Sequence, residues 1–246
     1  MEKALIALNR VEHIRKEEKN YHDHCYDQYE LFKEGSWLHK PVKAVLDLIP
    51  FIQKIDQPKV LDLGSGVGRN SIPIAQAIKD NGGQVVCVDL LDSALEKLID
   101  YSETYQVRDV IESVKADIGD YQIKPNEFDF IIAVSSLEHV VTEEKFERVI
   151  QQMAAGTKVN GINGLVVNSE VEEIDLDTNE SLNALMEVNL STEKLLNKLR
   201  AIYRNWDILQ TEVKRLEYTI NRGEKPVLLK TKAVTFVVKK SGRSDN

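Results

Sequence analysis

The stretch VLDLGSGVGRNS, residues 60–71, holds the densest chemistry in the chain. An apolar run reaches the carboxylate Asp62, and glycines then stand at 64, 66 and 68. Without Cβ atoms, such glycines let the backbone approach a ligand and adopt torsions that other residues avoid. Two ligands compete for a loop of this kind: the pyrophosphate of a dinucleotide and the amino-acid end of S-adenosylmethionine (SAM). The dinucleotide fingerprint G-x-G-x-x-G needs its third glycine to pack helix on strand, and Arg69 stands at that position here. Asp62 would repel a pyrophosphate, but it would attract an ammonium through a charge-assisted hydrogen bond. SAM carries an ammonium and no phosphate.

Two more carboxylates fall at the ends of later apolar runs. Asp89 follows VVCV, where a carboxylate can accept both hydroxyl hydrogens of a ribose. Asp117-Ile118 follows the next run, a carboxylate for an adenine amino group beside an apolar side chain to cover the ring. After FDFIIAV come Ser135, Ser136, Glu138 and His139, candidates for the acceptor side of a transfer reaction, with His139 the candidate general base. The D/N-P-P-Y/F motif of enzymes that methylate nucleobase amines would fall at this place, and VSSLEHV has neither its prolines nor its aromatic residue. Upstream, YHDHCYDQY (21–29) offers His22, His24 and Cys25, but a structural zinc site needs paired ligands from a second cluster, so no metal is expected. Its tyrosines, with Trp37, read instead as an aromatic lid over cofactor and acceptor, hinged at Gly35-Ser36.

The elements that must position these groups follow from periodicity. Runs at 59–63, 84–88, 111–115, 128–134, 164–169, 206–214 and 231–239 read as strands. Those at 60–63, 85–88 and 130–134 lack polar alternation, as in a parallel sheet covered on both faces. Helices are expected at 69–79, 93–104 (capped by Ser93 with Glu96), 143–155 (capped by Thr142) and 192–202. Another is expected from Pro41, with Val42, Val45, Leu46 and Ile49 on one face. At the N-terminus Leu5, Leu8, Val11 and Ile14 line one side of a helix. Only a loop, 215–230, separates the last two strands, which makes them an antiparallel pair.

The ordered series VLDLGSGVGRNS, VVCVDL, KADI and FDFIIAVSSLEHV resembles the class I SAM-dependent methyltransferases over residues 37 to 170. GSWLHKP, GRNS and a tail with Tyr203 and Trp206 narrow the resemblance to the tellurite-resistance (TehB-like) branch. The resemblance implies an α/β, doubly wound, Rossmann-like seven-stranded sheet, mostly parallel with the last strand antiparallel and helices on both faces. It divides the chain into an N-terminal helical extension and lid, 1–40, and a methyltransferase domain, 41–246. It implies SAM, with S-adenosylhomocysteine as product, held by Asp62, Gly64, Ser65, Gly66, Gly68, Asp89, Leu90, Asp117, Ile118 and Ser135, under a segment around Trp37. Tyr26, His39, Ser136 and His139 are the acceptor-side candidates. The sequence departs from the branch at Leu216-Glu217-Tyr218, where tellurite-methylating members carry a His-Arg pair.

Composition bounds the partners. The 246 residues, 42% hydrophobic and 29% charged, suit one globular α/β unit. A net charge of −8 with no basic stripe beyond Lys239, Lys240 and Arg243 disfavours nucleic acid. No apolar run has the length of a membrane span, and Glu2 with an interrupted apolar core is unlike a signal peptide. Two cysteines, Cys25 and Cys87, imply no disulfide framework and fit the cytoplasm. The six acids of 170–180 read as a solvated loop, or as a wall of the acceptor site favouring a cation. The reading is a SAM-dependent methyltransferase acting on a small-molecule acceptor, as monomer or homodimer. The alternatives are a SAM-binding interaction module without turnover and a nicotinamide-dependent oxidoreductase.

Overall fold

The computed structural model of the chain describes residues 2–223 and 225–242, with side chains from residue 9 onward. Leu5 and Leu8, expected on the apolar side of the first helix, and Arg243 of the basic tail lie outside those described side chains. Among the described residues, parallel strands lie in the spatial order β3 (Ile111–Lys115), β2 (Gln84–Asp89), β1 (Lys59–Leu63), β4 (Phe128–Val134) and β5 (Thr157–Asp175). The last strand, β8 (Lys225–Lys239), runs antiparallel to β5, and β7 (Asp207–Arg222) closes the edge antiparallel to β8. The two-residue β6 (Ser181–Leu182) adds to β5 off this path. Strand order reverses at β1 and β4, so a crevice opens beyond their carboxyl ends, where open α/β sheets bind ligands. No described helix is long and apolar enough to cross a membrane.

Alternate residues of the central strands feed two cores. Val60, Val85, Cys87, Phe130 and Ile132 face the layer of α4 (Ser71–Ile78) and α5 (Asp92–Thr104). Leu61, Leu63, Val86, Val88, Ile131 and Ala133 face α6 (Glu143–Gly156) and α7 (Thr192–Ile202). Each such buried aliphatic side chain contributes about 1.5–3 kcal/mol relative to exposure. The unalternating runs of the sequence are therefore strands with a core on each side. α1 (Glu2–Gln28) spans the carboxyl side of the sheet and buries Ile14, Cys25 and Tyr26. The short α2 (Lys43–Leu46) and α3 (Ile49–Ile52) follow it.

Several local expectations are corrected. The loop expected at 215–230 is strand: β7 and β8 pair without a break from Tyr218↔Leu229 to Arg222↔Lys225, turning at Gly223, φ +65°. The period-2 pattern of TEVKRLEYTINR carries the pairing beyond the core, outlasting the turn signals of Asn221 and Pro226. β5 likewise runs to Asp175, so half of the acidic 170–180 segment is paired strand. Glu173 and Asp175 are buried there, Glu173 against Arg222 at 2.7 Å, and Glu170 pairs with Lys232. Ser93 does not cap α5; Leu91 is the N-cap, and the Ser93 hydroxyl donates to Asp23 at 2.5 Å. Pro41 precedes the first helical residue, Lys43, by two positions, and Leu46 is exposed. Thr142 caps α6, accepting from Lys145 N, as its spacing predicts.

A buried polar bridge ties the base of α7 to β5. Asn163 Nδ2 donates to the Tyr203 hydroxyl at 2.9 Å, and Asn163 Oδ1 accepts from Thr157 Oγ1 at 2.6 Å. Removing the hydroxyl in Tyr203→Phe strands a fully buried amide donor, which costs about 1–3 kcal/mol. Urea unfolding should show the midpoint lowered with its slope unchanged. An unchanged midpoint would mean that the amide finds another partner.

Candidate functional site

The glycine loop is fixed to the strand beside it. Gly64 N and Ser65 N both donate to the Val88 carbonyl, at 2.8 and 3.1 Å, as β1 ends. Gly64 has φ +77°, and a Cβ there would lie 2.3 Å from Ser136 Cβ, so only glycine lets the two strand ends meet. Ser136 is locked in turn, its hydroxyl donating to the Leu63 carbonyl at 2.6 Å. Gly66, φ +53°, exposes its backbone under Tyr26; a Cβ there would lie 3.1 Å from the Tyr26 hydroxyl. Gly66 N donates to Asp89 Oδ2 at 2.8 Å, and Asp89 Oδ1 accepts from Leu91 N at 2.9 Å. Leu90 between them is exposed.

The carboxylate at the end of β1 is incompletely partnered. Asp62 is buried, and its Oδ2 accepts from the Ser71 hydroxyl at 2.6 Å. Its Oδ1 is buried with no partner. Burial raises its pKa to about 7, against the Ser71 hydrogen bond and with help from the nearby Asp89 charge. The Ser65 hydroxyl is buried and unpartnered as well. Ser135 takes φ +50° as β4 ends, and its N donates to the Val166 carbonyl at 2.7 Å. At the end of β3, Asp117 Oδ1 accepts from Gly119 N at 2.8 Å, and Oδ2 accepts from Arg15 Nη2 at 2.6 Å. Ile118 beside it is buried.

α1 and the turn after it roof this crevice. Tyr26 is buried and meets the rings of His22 and Trp37 at 5.6 and 6.2 Å between centroids. Arg69 stacks over Trp37 at 4.9 Å and donates to its carbonyl at 2.9 Å. Asp23 fastens the helix to Ser93 of α5. The His39 side chain turns instead to Glu34, at 4.0 Å. On the acceptor side the helix supplies charges. Arg15 bridges Asp117 and, at 3.8 Å, Glu187; Glu187 is buried and meets His139 Nδ1 at 3.2 Å. Glu18 pairs with Arg222 at 3.3 Å, and Arg222 with Glu173. Sequence reasoning missed Arg15, Glu18, Glu187 and Arg222, while Glu173 is one of the six acids of 170–180 weighed as a wall of the acceptor site. The spacing 15, 18, 22, 26 places Arg15 and Glu18 on one face of the helix with His22 and Tyr26, but a polar stripe of this kind reads as a solvated face.

His139 is held as a cation. Burial alone would lower its pKa, but the Glu187 hydrogen bond, with the charges of Glu18 and Glu138, overcomes burial and raises it from 6.5 to about 9. The raised value means that its charged form stabilises the fold fully below about pH 6.5, and that this contribution is lost as pH rises through about 9. Histidine NMR titration should find this resonance still protonated at pH 8. In Glu187→Gln the midpoint should fall from about 9, with the charges of Glu18 and Glu138 left to oppose burial. A midpoint unmoved by Glu187→Gln would place the source of the shift elsewhere.

Residues 60–161 match the family described as methyltransferase domain. A curated relative, phosphoethanolamine N-methyltransferase 3 of Arabidopsis thaliana, is 27% identical over 116 residues, covering 47% of this chain but 22% of its own. Among solved structures, TehB from Haemophilus influenzae superposes with a TM-score of 0.56 at 23% identity, over 79% of this chain and 62% of that one. A putative sarcosine dimethylglycine methyltransferase from Galdieria sulphuraria superposes at 0.57 with 14% identity, over 91% and 98%. The chain thus spans under two thirds of TehB and about a fifth of the plant relative. Residues 60–161 thus resemble a methyltransferase domain, and the chain that carries them has the class I SAM-dependent methyltransferase fold.

Proposed function

We propose that the chain transfers a methyl group from SAM to a small-molecule acceptor. One observation carries this reading: a buried carboxylate oxygen, Asp62 Oδ1, stands without a partner beside a loop whose backbone is bare. A ligand ammonium would complete that oxygen, and Gly64 and Gly66 leave room for the chain that bears it. In this reading Asp89, which holds Gly66 N and Leu91 N, also takes the ribose hydroxyls, and Asp117 with Ile118 takes the adenine. Ser65, Ser135 and Trp37 complete the lining of this reading, with 1–40 the lid and 41–246 the domain it closes.

Bound SAM supplies a methyl group already activated on sulfur, so the protein's share is positioning and exclusion of water. Tyr26, Trp37 and α1 exclude solvent above the loop. Ser136 fixes the loop against β4, and Asp62 fixes the ligand against β1. His139 keeps its proton on Nδ1 toward Glu187, so at neutral pH it orients and balances charge rather than accepting a proton. A small acceptor suits a crevice that α1 crosses with the paired charges of Arg15, Glu18, Arg222 and Glu187. The two cysteines, Cys25 and Cys87, are buried as free thiols, which fits work in a reducing cytoplasm.

Calorimetry with S-adenosylhomocysteine tests the cofactor, and mass spectrometry of a metabolite extract incubated with methyl-labelled SAM tests the transfer. Binding with no labelled product would favour the interaction module; no binding would sink both readings. Because Asp62 sits at about 7 when unpaired, and an ammonium partner ionises it, binding should release protons near pH 7 and fewer as pH rises. Calorimetry in buffers of different ionisation enthalpy reads this release, which Asp62→Asn should abolish. In the ligand-free protein the protonated Asp62 favours the fold. That contribution is complete below about pH 3.8 and is lost as pH rises to about 7.

A further inference from the structure

β7 ends the sheet, and no described strand pairs with its outer side. An edge of this kind offers unpaired N–H and C=O groups to any chain that can match it, and folds blunt it with proline, cover, short length or charge. β7 relies on charge. It is 16 residues long and free of proline, and its side chains are exposed or half-buried along its whole length. Past one irregularity between Ile208 and Gln210 it pairs with β8 without a break to Arg222. Ten large apolar side chains are exposed among the described residues, and four of them, Ile208, Leu209, Val213 and Tyr218, stand on this one strand. Scattered apolar residues need no explanation, but a run of them along a free edge marks an interaction surface. The charges that guard the edge are Glu212, Lys214, Arg215 and Glu217. All four are exposed, and none has an ion-pair partner among the described residues. Arg215 even stands opposite Lys232 of β8, a like charge.

We infer that β7 is a dimer interface, pairing antiparallel with β7 of a second copy about a twofold axis through Val213. The order of charges selects this occupant and this register. A twofold antiparallel pairing sets residues equidistant from the axis opposite each other. With Val213 on the axis, Glu212 of each copy meets Lys214 of the other, so two opposite-charge pairs form where the single chain has none. Gln210 falls opposite Leu216, and Thr211 opposite Arg215. An axis at Glu212, Lys214 or Arg215 would set two like charges face to face. An axis at Leu216 would pair Arg215 with Glu217, but it would leave Ile208 and Leu209 uncovered. Val213 is the midpoint of 208 and 218, so a ladder centred there spans all four exposed apolar side chains. The contact uses the same patch on both copies and therefore closes at two. The ladder stops short of Asn221 and Arg222, so the hairpin tip keeps its pairs with Glu18 and Glu173. This interface is independent of the SAM reading.

Sedimentation equilibrium of the full chain tests the pairing, and the wild type should fit a reversible dimer. Glu212→Lys sets lysines opposite each other on both sides of the axis, and Lys214→Glu sets acids there. Each exchanges two attractions for two repulsions and should raise the dimer Kd by about tenfold or more. The double variant Glu212→Lys/Lys214→Glu restores opposite signs and should bring Kd back to within about threefold of the wild type. A folding defect in either single variant would persist in the double variant, so recovery separates pairing from stability. Val213→Cys reads the register. Directly opposed Cα atoms lie about 4.5–5.5 Å apart, within disulfide reach, so mild oxidation should cross-link two copies of this variant. Leu216→Cys should not cross-link, because in this register it sits about 20 Å from its counterpart. Cys25 and Cys87 are buried, which makes the wild type the control. A wild type that stays monomeric at every concentration, a dimer that both single reversals leave intact, or cross-linking through Leu216→Cys and not Val213→Cys overturns the assignment.

Discussion

A carboxylate placed inside a protein must be answered, and the geometry around Asp62 is organised by how it is answered. One oxygen is met by Ser71, the first residue of α4, which fixes where that helix begins relative to β1. The other is left open. Leaving it open requires that nothing from the protein reach it, and this is what the loop achieves. Gly64 folds away against Ser136, the Val88 carbonyl draws Gly64 N and Ser65 N toward β2, and Asp89 takes Gly66 N. The loop's own donors are thus spent sideways, and the unpaired oxygen is preserved for something from outside.

The roof follows from the same constraint. A buried charge deficit survives only where water is excluded, and the sheet alone does not cover its carboxyl edge. α1 supplies the cover, and it brings charges of its own that must be paired. Arg15 goes to Asp117 and Glu187, Glu18 to Arg222, and Asp23 to Ser93. These partners come from the end of β3, the segment before α7, the tip of β7 and α5. One helix therefore reads out the positions of four separate parts of the fold, and where the partner side chain is fully withdrawn from water, as at Glu187, removing the cation leaves a buried charge unanswered.

How much of this is legible in the sequence depends on how local each signal is. The central strands announce themselves because burial on both faces removes polar alternation, and their ends are marked by Asp62, Asp89 and Asp117. The strand order cannot be read from residues 60–134 alone, but the helix-length connections between them require parallel pairing. The long hairpin is hidden because Asn221, Gly223 and Pro226 spread turn signals over several positions, while the chain turns at Gly223 alone and Asn221 and Pro226 pair with each other as strand. Remoteness in sequence hides Glu187 and Arg222. Each is an ordinary charge in its own neighbourhood and acquires a partner only across about 50 to 200 residues. The rings of 21–29 stand out as aromatic cover, yet the charges one and two turns before them, at Glu18 and Arg15, look no different from a solvated face.

The pairing of Glu18 with Arg222 joins residues 204 positions apart. On the ribosome, α1 emerges before every strand it will rest on, and its anchors at Asp117, Glu187 and Arg222 follow in that order. The last of these anchors is therefore in place only after the hairpin of β7 has been made. Until then Glu18 stands in water, where its charge costs nothing.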